Sequence, residues 1–219
     1  FNHSLVILQS TKITKVAYMP YLLLGVGFFL FIFSVLMLFI PSLNQFDLAT
    51  VEWMSQHRTA HLNTISITLS AIGGMPFVLF LTAIWYLHQL WYKKYTNIIF
   101  TSLGLIGSIA TVWLLKYIIS RPRPPEMYHL VQSYGASFPS AHSVYAATLG
   151  CLAIYLSLRH PKHQLICVCA FIWLFIMGIS RVYLGVHFPS DVLAGWSISF
   201  IWITLLYLLY AKFSRAKTN

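Results

Sequence analysis

The sequence predicts an all-α integral membrane protein with six transmembrane helices, and three observations support this prediction. Hydrophobic residues make up 58% of the 219-residue chain and charged residues only 8%, whereas soluble domains carry roughly 25% charged residues. The apolar residues form six stretches, each long enough to cross the hydrocarbon core of a bilayer. The polar groups that could carry chemistry lie at the ends of these stretches. A soluble globular enzyme is therefore excluded.

The six predicted spans follow one another within a single domain over residues 1–219. They lie near 17–40, 64–88, 96–119, 140–159, 164–182 and 190–211. The first is too long for the core of a signal peptide and has no small-residue cleavage site after it, so we expect a retained anchor that ends at Pro41. Gly73 and Gly74, just before Pro76, should loosen the second span for close helix packing.

An amphipathic segment, residues 42–56, connects the first two spans. Its larger apolar residues, among them Phe46 and Trp53, share one face of a helix, and polar residues such as Asp47 lie mostly off that face. We interpret the segment either as an interfacial helix that shapes the approach of a substrate or as an ordinary amphipathic connector.

The basic residues predict how the chain is oriented in the membrane. With both termini in the cytoplasm, nine of the fourteen Lys and Arg residues lie on the inner side, as the positive-inside rule requires. The loop 120–139 then lies outside, together with the adjoining ends of the third to sixth spans. The net charge of +10 is dispersed along the chain and forms no dense stripe for nucleic acid. Because the polar loops are brief, we predict a multi-pass protein of the bacterial cytoplasmic membrane with an extracytoplasmic functional face.

Three fixed positive charges lie at that outer side. Lys116 is near the end of the third span, Arg123 follows in the loop and Arg181 closes the fifth span. A guanidinium can grip two phosphate oxygens, and an ammonium group adds a point charge. Charged groups beside the bilayer are costly and usually functional, so we interpret the three as an anion-binding set. Taken singly, each could instead be an anchor at a helix end.

Two histidines and a carboxylate lie beside these cations. Ser140 caps the start of the fourth span, where free backbone N–H groups attract an anion, and His142 lies in the first turn. His187 and Asp191 are four residues apart at the start of the sixth span, within hydrogen-bonding reach on a helical turn. A carboxylate that holds one ring nitrogen leaves the other free to attack. The structural alternatives are a capped helix start and a buried ion pair.

These residues form the pattern Lys-x6-Arg-Pro, Pro-Ser-x-His and Ser-Arg-x5-His-x3-Asp, which resembles the signature of the type 2 phosphatidic acid phosphatase superfamily. The signature covers residues 116–191, and the six-span layout extends the likeness to most of the chain. The resemblance implies that His187 becomes phosphorylated, that Asp191 orients it and that His142 is the general acid, without metal or cofactor. The phosphate would be held by the remaining signature residues, which are Lys116, Arg123, Ser140 and Arg181. Ala141 stands where the family usually has glycine.

Three function classes compete: a membrane phosphatase, a transporter with an ion path, and an inactive protein that binds phospholipid. A transporter should distribute ionisable groups along the depth of its spans, whereas the mid-span positions here are almost free of charge. An inactive binding protein should lack one of the two histidines or the carboxylate. We therefore predict a metal-independent lipid phosphatase. Its expected substrate is undecaprenyl pyrophosphate or phosphatidylglycerophosphate, with lipid A 1-phosphate as the alternative.

The sequence assigns no catalytic role to Arg121, to six further histidines or to the cysteines. Arg121 lies outside the motif pattern and is interpreted as an interfacial or headgroup contact. The histidines show no metal-ligand spacing and are expected at the surface, and the cysteines are expected to be inert core thiols. These residues are His57, His61, His88, His129, His160, His163, Cys151, Cys167 and Cys169.

Overall fold

The computed structural model describes the backbone of residues 2–216 and the side chains of residues 18–212. Within these residues the chain forms eight α-helices and one short 3₁₀ helix, without a strand, which confirms the predicted all-α class. The helices are α1 (Asn2–Phe39), α2 (Pro41–Gln56), α3 (Ala60–Ile72), α4 (Met75–Trp91), α5 (Tyr95–Ile119), α6 (Ala141–Leu156), α7 (His163–Tyr183) and α8 (Pro189–Ala216). The 3₁₀ helix, Glu126–Tyr128, lies between α5 and α6.

Several of these helices are long and apolar enough to cross a membrane. Among the described residues, four qualify: Tyr18–Phe39, Tyr95–Ile119, His163–Tyr183 and Pro189–Lys212. α3 and α4 qualify only as a pair that is bent by 56°, as a broken span or a re-entrant loop. α6 is apolar but has only 16 residues, which gives a length of about 24 Å. The multi-pass membrane class is thus confirmed, while the count of six spans stays a prediction.

The bend between α3 and α4 lies at the predicted glycine pair. α3 ends at Ile72 with Gly73 as its C-cap, Gly74 is extended (φ −74°, ψ 159°), and Pro76 lies in the first turn of α4. A Cβ atom on Gly73 would lie 2.4 Å from Met177 Cε. The glycine therefore lets the end of α3 approach α7 closely, as the packing interpretation predicted.

α6 is the central helix and packs against α5, α7 and α8. Gly195 on α8 comes so close that a Cβ atom there would lie 2.8 Å from Ser143 Cβ. Thr148 shares hydrogen bonds of 2.9 Å with Ser108 of α5 and with Ser199 of α8. Small residues and interhelical hydrogen bonds are typical ties between membrane helices, and here they hold α6, whose N-terminus carries the second motif, against α5 and α8.

The segment predicted to be an amphipathic helix forms α2, and α2 turns a carboxylate inward and large apolar side chains outward. Its apolar residues Phe46 and Trp53 are 60% and 58% exposed, whereas Asp47 is fully buried. The Asp47 carboxylate accepts hydrogen bonds from Ser190 N, at 3.0 Å, and from the Ser190 hydroxyl. The reason is that a lipid environment tolerates exposed apolar side chains, while a carboxylate needs donors or a counterion inside the protein.

Candidate active site

The structure brings the three motifs together at one end of the helix bundle. α5 and α7 end where α6 and α8 begin, so residues from separate parts of the range 116–191 become neighbours. Ser140 N, at the start of α6, donates a hydrogen bond of 3.0 Å to Asp191 O in α8. Lys116, in the last turn of α5, donates through Nζ to Ala136 O and, at 3.4 Å, to Ser137 O. The loop before α6 is therefore held by α5 on one side and α8 on the other.

His187 and Asp191 form a buried pair. His187 lies in the loop after α7, and its Nδ1 is 3.3 Å from Asp191 Oδ2 in the first turn of α8. The same carboxylate oxygen accepts hydrogen bonds from Phe188 N, at 2.9 Å, and from the Ser137 hydroxyl. The carboxylate is thus fixed by donors from two segments and in turn fixes one nitrogen of the imidazole.

The second ring nitrogen of His187 faces Arg123. Arg123 Nη1 lies 3.2 Å from His187 Nε2 and donates to Val186 O at 2.8 Å, and its other nitrogens donate to backbone carbonyls before α6. A guanidinium has only donors, so Nε2 carries the lone pair and Nδ1 carries the proton toward Asp191. Burial lowers the pKa of His187 to about 3, although Asp191 acts in the opposite direction. The imidazole is therefore neutral at neutral pH.

Arg121 is not the interfacial contact that the sequence predicts. Its side chain is 8% exposed and bridges two buried carboxylates, with Nη2 2.9 Å from Asp47 Oδ2 and Nη1 2.8 Å from Asp191 Oδ1. Nη1 also donates to Ser190 Oγ at 2.7 Å, and the guanidinium lies 3.9 Å from the centre of the Phe188 ring. Two buried carboxylates need a counterion, which explains the inward position. Arg121 thus links α2 to the carboxylate that holds the imidazole.

The N-terminus of α6 is capped as predicted. Ser140 is the N-cap (φ −73°, ψ 114°), and its hydroxyl accepts a hydrogen bond of 3.4 Å from Ser143 N. Ala141 is the first helical residue and does not belong to the non-glycine residues with positive φ within 2–216. Alanine therefore fits this position without backbone strain, and the first turn presents N–H groups at which an anion can bind.

His142 and Arg181 both hydrogen-bond to Ser70 in the last turn of α3, and the three residues form a second cluster. His142 Nε2 lies 3.0 Å from Ser70 O, and Arg181 Nη1 donates to Ser70 Oγ at 2.7 Å. Arg181 Nε is buried and has no hydrogen-bond partner in the described part of the chain. Such an N–H is costly unless an acceptor reaches it. The N-terminus of α6 carries both Ser140 and His142. It therefore connects the Ser70 cluster to the residues around His187.

Sequence reasoning missed Ser70 and the inward position of Asp47. Ser70 contacts His142 through its main-chain carbonyl, and a main-chain acceptor leaves no trace in the residue pattern. For Asp47 a signal exists, since the chain has only four acidic residues and an unassigned arginine lies two residues before Arg123. An acid and a cation without roles in so apolar a chain favour a buried pair.

The six further histidines and the three cysteines take no part in the site contacts described above. No cluster of three or more His, Cys, Asp or Glu that could hold a metal ion occurs among the described residues. The six further histidines are exposed or half-buried, as predicted. Cys151 is buried as expected, but Cys167 is half-buried and Cys169 is exposed, because their stretch of α7 turns part of its apolar surface outward.

Known proteins resemble this chain in sequence and in fold. A family model described as the PAP2 superfamily matches residues 94–215. Phosphatidylglycerophosphatase B of Bacillus subtilis is 31% identical over 168 residues, which cover 72% of this chain and 78% of that protein. Lipid A 1-phosphatase of Rhizobium etli is 31% identical over 163 residues, covering 70% and 67%, respectively, and undecaprenyl-diphosphatases match at lower identity. The crystal structure of a transmembrane PAP2-type phosphatidylglycerolphosphate phosphatase from Bacillus subtilis matches with a TM-score of 0.79 at 28% identity, over 89% of this chain and 97% of that chain.

Proposed function

The chain belongs to the PAP2 superfamily, and from this premise we propose that it is a membrane lipid phosphatase that acts through a phosphohistidine at His187. One observation carries the proposal: the imidazole lies between Asp191 on Nδ1 and Arg123 on Nε2. This arrangement keeps a lone pair on Nε2 and places a phosphate-binding guanidinium beside it. Attack of an imidazole on phosphorus needs both features.

The first chemical step transfers the phosphoryl group to the enzyme. His187 Nε2 forms a bond to phosphorus while the bond between phosphorus and the leaving oxygen breaks. The leaving oxygen takes a proton from His142, which acts as general acid. Asp191 stabilises the ring as it gains positive charge, because its carboxylate accepts the Nδ1–H bond.

The second step releases inorganic phosphate. His142, now neutral, removes a proton from a water molecule, whose oxygen attacks the phosphorus of the phosphohistidine. The bond between phosphorus and Nε2 breaks, and His187 returns to its neutral form. The two histidines therefore keep separate roles, one covalent and one in proton transfer.

Fixed cations bind the phosphate in this proposal. Lys116, Arg123 and Arg181 supply three positive charges, and the N-terminus of α6 at Ser140 adds backbone donors. Arg181 supports the proposal most directly, since its buried Nε has no partner in residues 18–212 and a phosphate oxygen would satisfy it. These groups stabilise the charge that develops on the equatorial oxygens, so we propose that turnover is independent of metal ions and survives a chelator.

The proposed substrate is a lipid phosphate or pyrophosphate whose headgroup lies at the membrane surface, namely undecaprenyl pyrophosphate, phosphatidylglycerophosphate or both. The site lies where membrane-spanning helices end, and the curated relatives are named as phosphatases of such lipids. Lipid A 1-phosphate is the alternative within the same chemistry, because a lipid A 1-phosphatase also matches. The alternative from another class is a non-catalytic protein that binds phospholipid.

The proposed location is the bacterial cytoplasmic membrane, with cytoplasmic termini and the site on the extracytoplasmic face. The loop that holds Glu126 and the loop that holds Lys162 lie at opposite ends of α6, and both residues are exposed. In a cysteine-free variant, Glu126→Cys should react with an impermeant thiol reagent in intact cells, while Lys162→Cys should react only after the membrane is opened. The reverse pattern would place the site in the cytoplasm.

The decisive experiment is an assay of purified protein against four lipids: undecaprenyl pyrophosphate, phosphatidylglycerophosphate, phosphatidic acid and lipid A. We expect inorganic phosphate from one of the first two, equal rates with and without chelator, and no phosphate from the His187→Ala variant. Binding of these lipids without any release of phosphate would contradict the proposal and support the non-catalytic alternative.

A further inference from the structure

The break between α3 and α4 leaves one main-chain carbonyl of α3 free for another partner. Gly73 N donates to Leu69 O at 2.8 Å, and Gly74 N donates to Ala71 O at 3.4 Å. In a continuous helix Gly74 N would instead donate to Ser70 O, four residues earlier. The released Ser70 carbonyl lies 3.0 Å from His142 Nε2. The glycine break therefore provides an acceptor for a histidine on another helix.

The side chain of the same residue contacts a second motif residue. Ser70 Oγ accepts a hydrogen bond of 2.7 Å from Arg181 Nη1. Ser70 thus contacts α6 through its main chain and α7 through its hydroxyl. Its position is fixed against α7, because Gly73 packs so tightly on Met177 that a Cβ atom would lie 2.4 Å from Met177 Cε.

The carbonyl contact determines which nitrogen of His142 can exchange a proton. A carbonyl only accepts hydrogen bonds, so Nε2 keeps its proton in the neutral and in the charged ring. The proton that is given to a leaving oxygen must then come from Nδ1.

We propose that Ser70 is a positioning residue, whose carbonyl fixes the tautomer and orientation of His142 and whose hydroxyl fixes the guanidinium of Arg181. The inference rests on the proposed function, in which His142 is the general acid and Arg181 binds the phosphate. Ser70 itself touches neither the phosphorus nor the leaving oxygen in this scheme. The break after α3 thus supports the histidine that acts as general acid.

The hydroxyl contact is tested with three variants of α3. Ser70→Ala should lower kcat about 10- to 100-fold, the range expected for a hydrogen bond to a charged group. KM should change less, because Arg181 matters most when charge builds on the phosphate. Ser70→Thr keeps the hydroxyl and should restore most of kcat. Thr68→Ala, which removes an exposed hydroxyl that bonds within α3, should keep the wild-type kcat.

The carbonyl contact is tested by nitrogen NMR of protein labelled with ¹⁵N-histidine in micelles, with His142→Asn to assign the signals. We expect the neutral ring of His142 to carry its proton on Nε2, and a proton on Nδ1 would overturn the assignment. A wild-type kcat in Ser70→Ala would overturn the hydroxyl role. The hydroxyl role would also be overturned if the loss of kcat is accompanied by a lower unfolding temperature and is not restored by Ser70→Thr. If the wild-type protein releases no phosphate from any lipid, the proposed function fails, while the NMR result still decides the Ser70 contact.

Discussion

The candidate site has two halves that are held in different ways. In the nucleophile half, which contains His187, Asp191 is held by a backbone N–H, a serine hydroxyl and the guanidinium of Arg121. In the acid half, His142 and Arg181 both hydrogen-bond to Ser70 at the end of a broken helix. The first half consists of buried charges that satisfy one another, and the second depends on a carbonyl and a hydroxyl of the same residue.

The difference matches the chemistry proposed for each half. The nucleophile must keep one tautomer, and a buried ionic network fixes it, because removal of the cation that two buried carboxylates share costs about 3–5 kcal/mol. The general acid must give and take a proton, and a main-chain acceptor serves both charge states. We therefore expect changes to the charged network to affect folding as well as rate, and changes to the acid half to affect the rate alone.

The largest effect is expected from His187→Ala, which removes the nucleophile. Turnover should fall by a factor on the order of 10⁴ or more, as for the loss of other covalent nucleophiles. Wild-type protein quenched in alkaline detergent during turnover should carry phosphate on His187, since phosphohistidine is stable in base. Mass spectrometry of the peptides measures this directly, and phosphate on His142 would reverse the roles of the two halves.

Asp191→Asn should give the next largest loss, about 10²- to 10⁴-fold in kcat, by analogy with other orienting carboxylates. The fold should persist, because Arg121 remains paired with Asp47 in this variant. Phosphate release and the unfolding temperature in detergent provide the two measurements. A variant that keeps the wild-type rate would show that the carboxylate does not orient the imidazole.

His142→Ala tests the acid half through the leaving group. A lipid alcohol is a poor leaving group and needs the proton, so its release should slow by about 10²- to 10⁴-fold. The phosphate that leaves a pyrophosphate is a better leaving group, so the loss should be smaller. Rates with phosphatidylglycerophosphate and with a prenyl pyrophosphate test this difference. Equal losses with both substrates would show that His142 does not protonate the leaving group.

In both halves the sequence predicts the motif residues and misses a residue that holds them. The motif pattern identified His187, Asp191 and Arg123 together, because side chains four residues apart on a turn and cations at helix ends leave a clear pattern. It did not place Arg121, because the pairing of Arg121 with Asp47 depends on the direction in which α2 faces, and the one signal for it was an acid and a cation without roles in an apolar chain. It could not identify Ser70 either, because a main-chain carbonyl is available at any residue until the helix breaks.

For the fold, single residues predicted where helices begin and end more reliably than hydropathy predicted the lengths of the spans. Proline and serine correctly predicted the end of α1 and the cap of α6, whereas the glycine pair, which was expected only to loosen the second span, ends α3. Hydropathy gave the fourth predicted span as 140–159, but α6 ends at Leu156. Hydropathy reports burial or lipid contact and does not report where the backbone turns.

Arg121→Met tests the ionic network of the nucleophile half. It leaves the carboxylates of Asp47 and Asp191 without their shared counterion, so the free energy of unfolding should fall by about 3–5 kcal/mol. Asp47→Asn alone should cost much less, because Arg121 keeps its pair with Asp191. Combining Asp47→Asn with Arg121→Met should recover part of the loss. Thermal unfolding in detergent measures all three, and an Arg121→Met protein as stable as wild type would remove the distinction between the halves.

The smallest effect concerns the pH dependence of stability. Burial lowers the pKa of His187 in the folded protein to about 3, whereas a histidine in the unfolded chain has a pKa of about 6.5. Between these values the unfolded chain binds a proton that the folded site excludes. His187 should therefore make the free energy of unfolding decrease as the pH falls below about 6.5, by at most about 1.4 kcal/mol per pH unit.

The contribution of His187 can be separated from that of other histidines by two matched substitutions. His187→Asn removes the buried ring and should reduce the pH dependence of the unfolding temperature between pH 7 and pH 5. His61→Asn removes an exposed ring on α3 and is the matched control for the substitution itself. The physical reason is that only a group whose proton affinity changes on folding contributes to the slope. If His187→Asn keeps the full wild-type slope, His187 does not exclude a proton in the folded state, and the neutral nucleophile required by the proposed mechanism is lost.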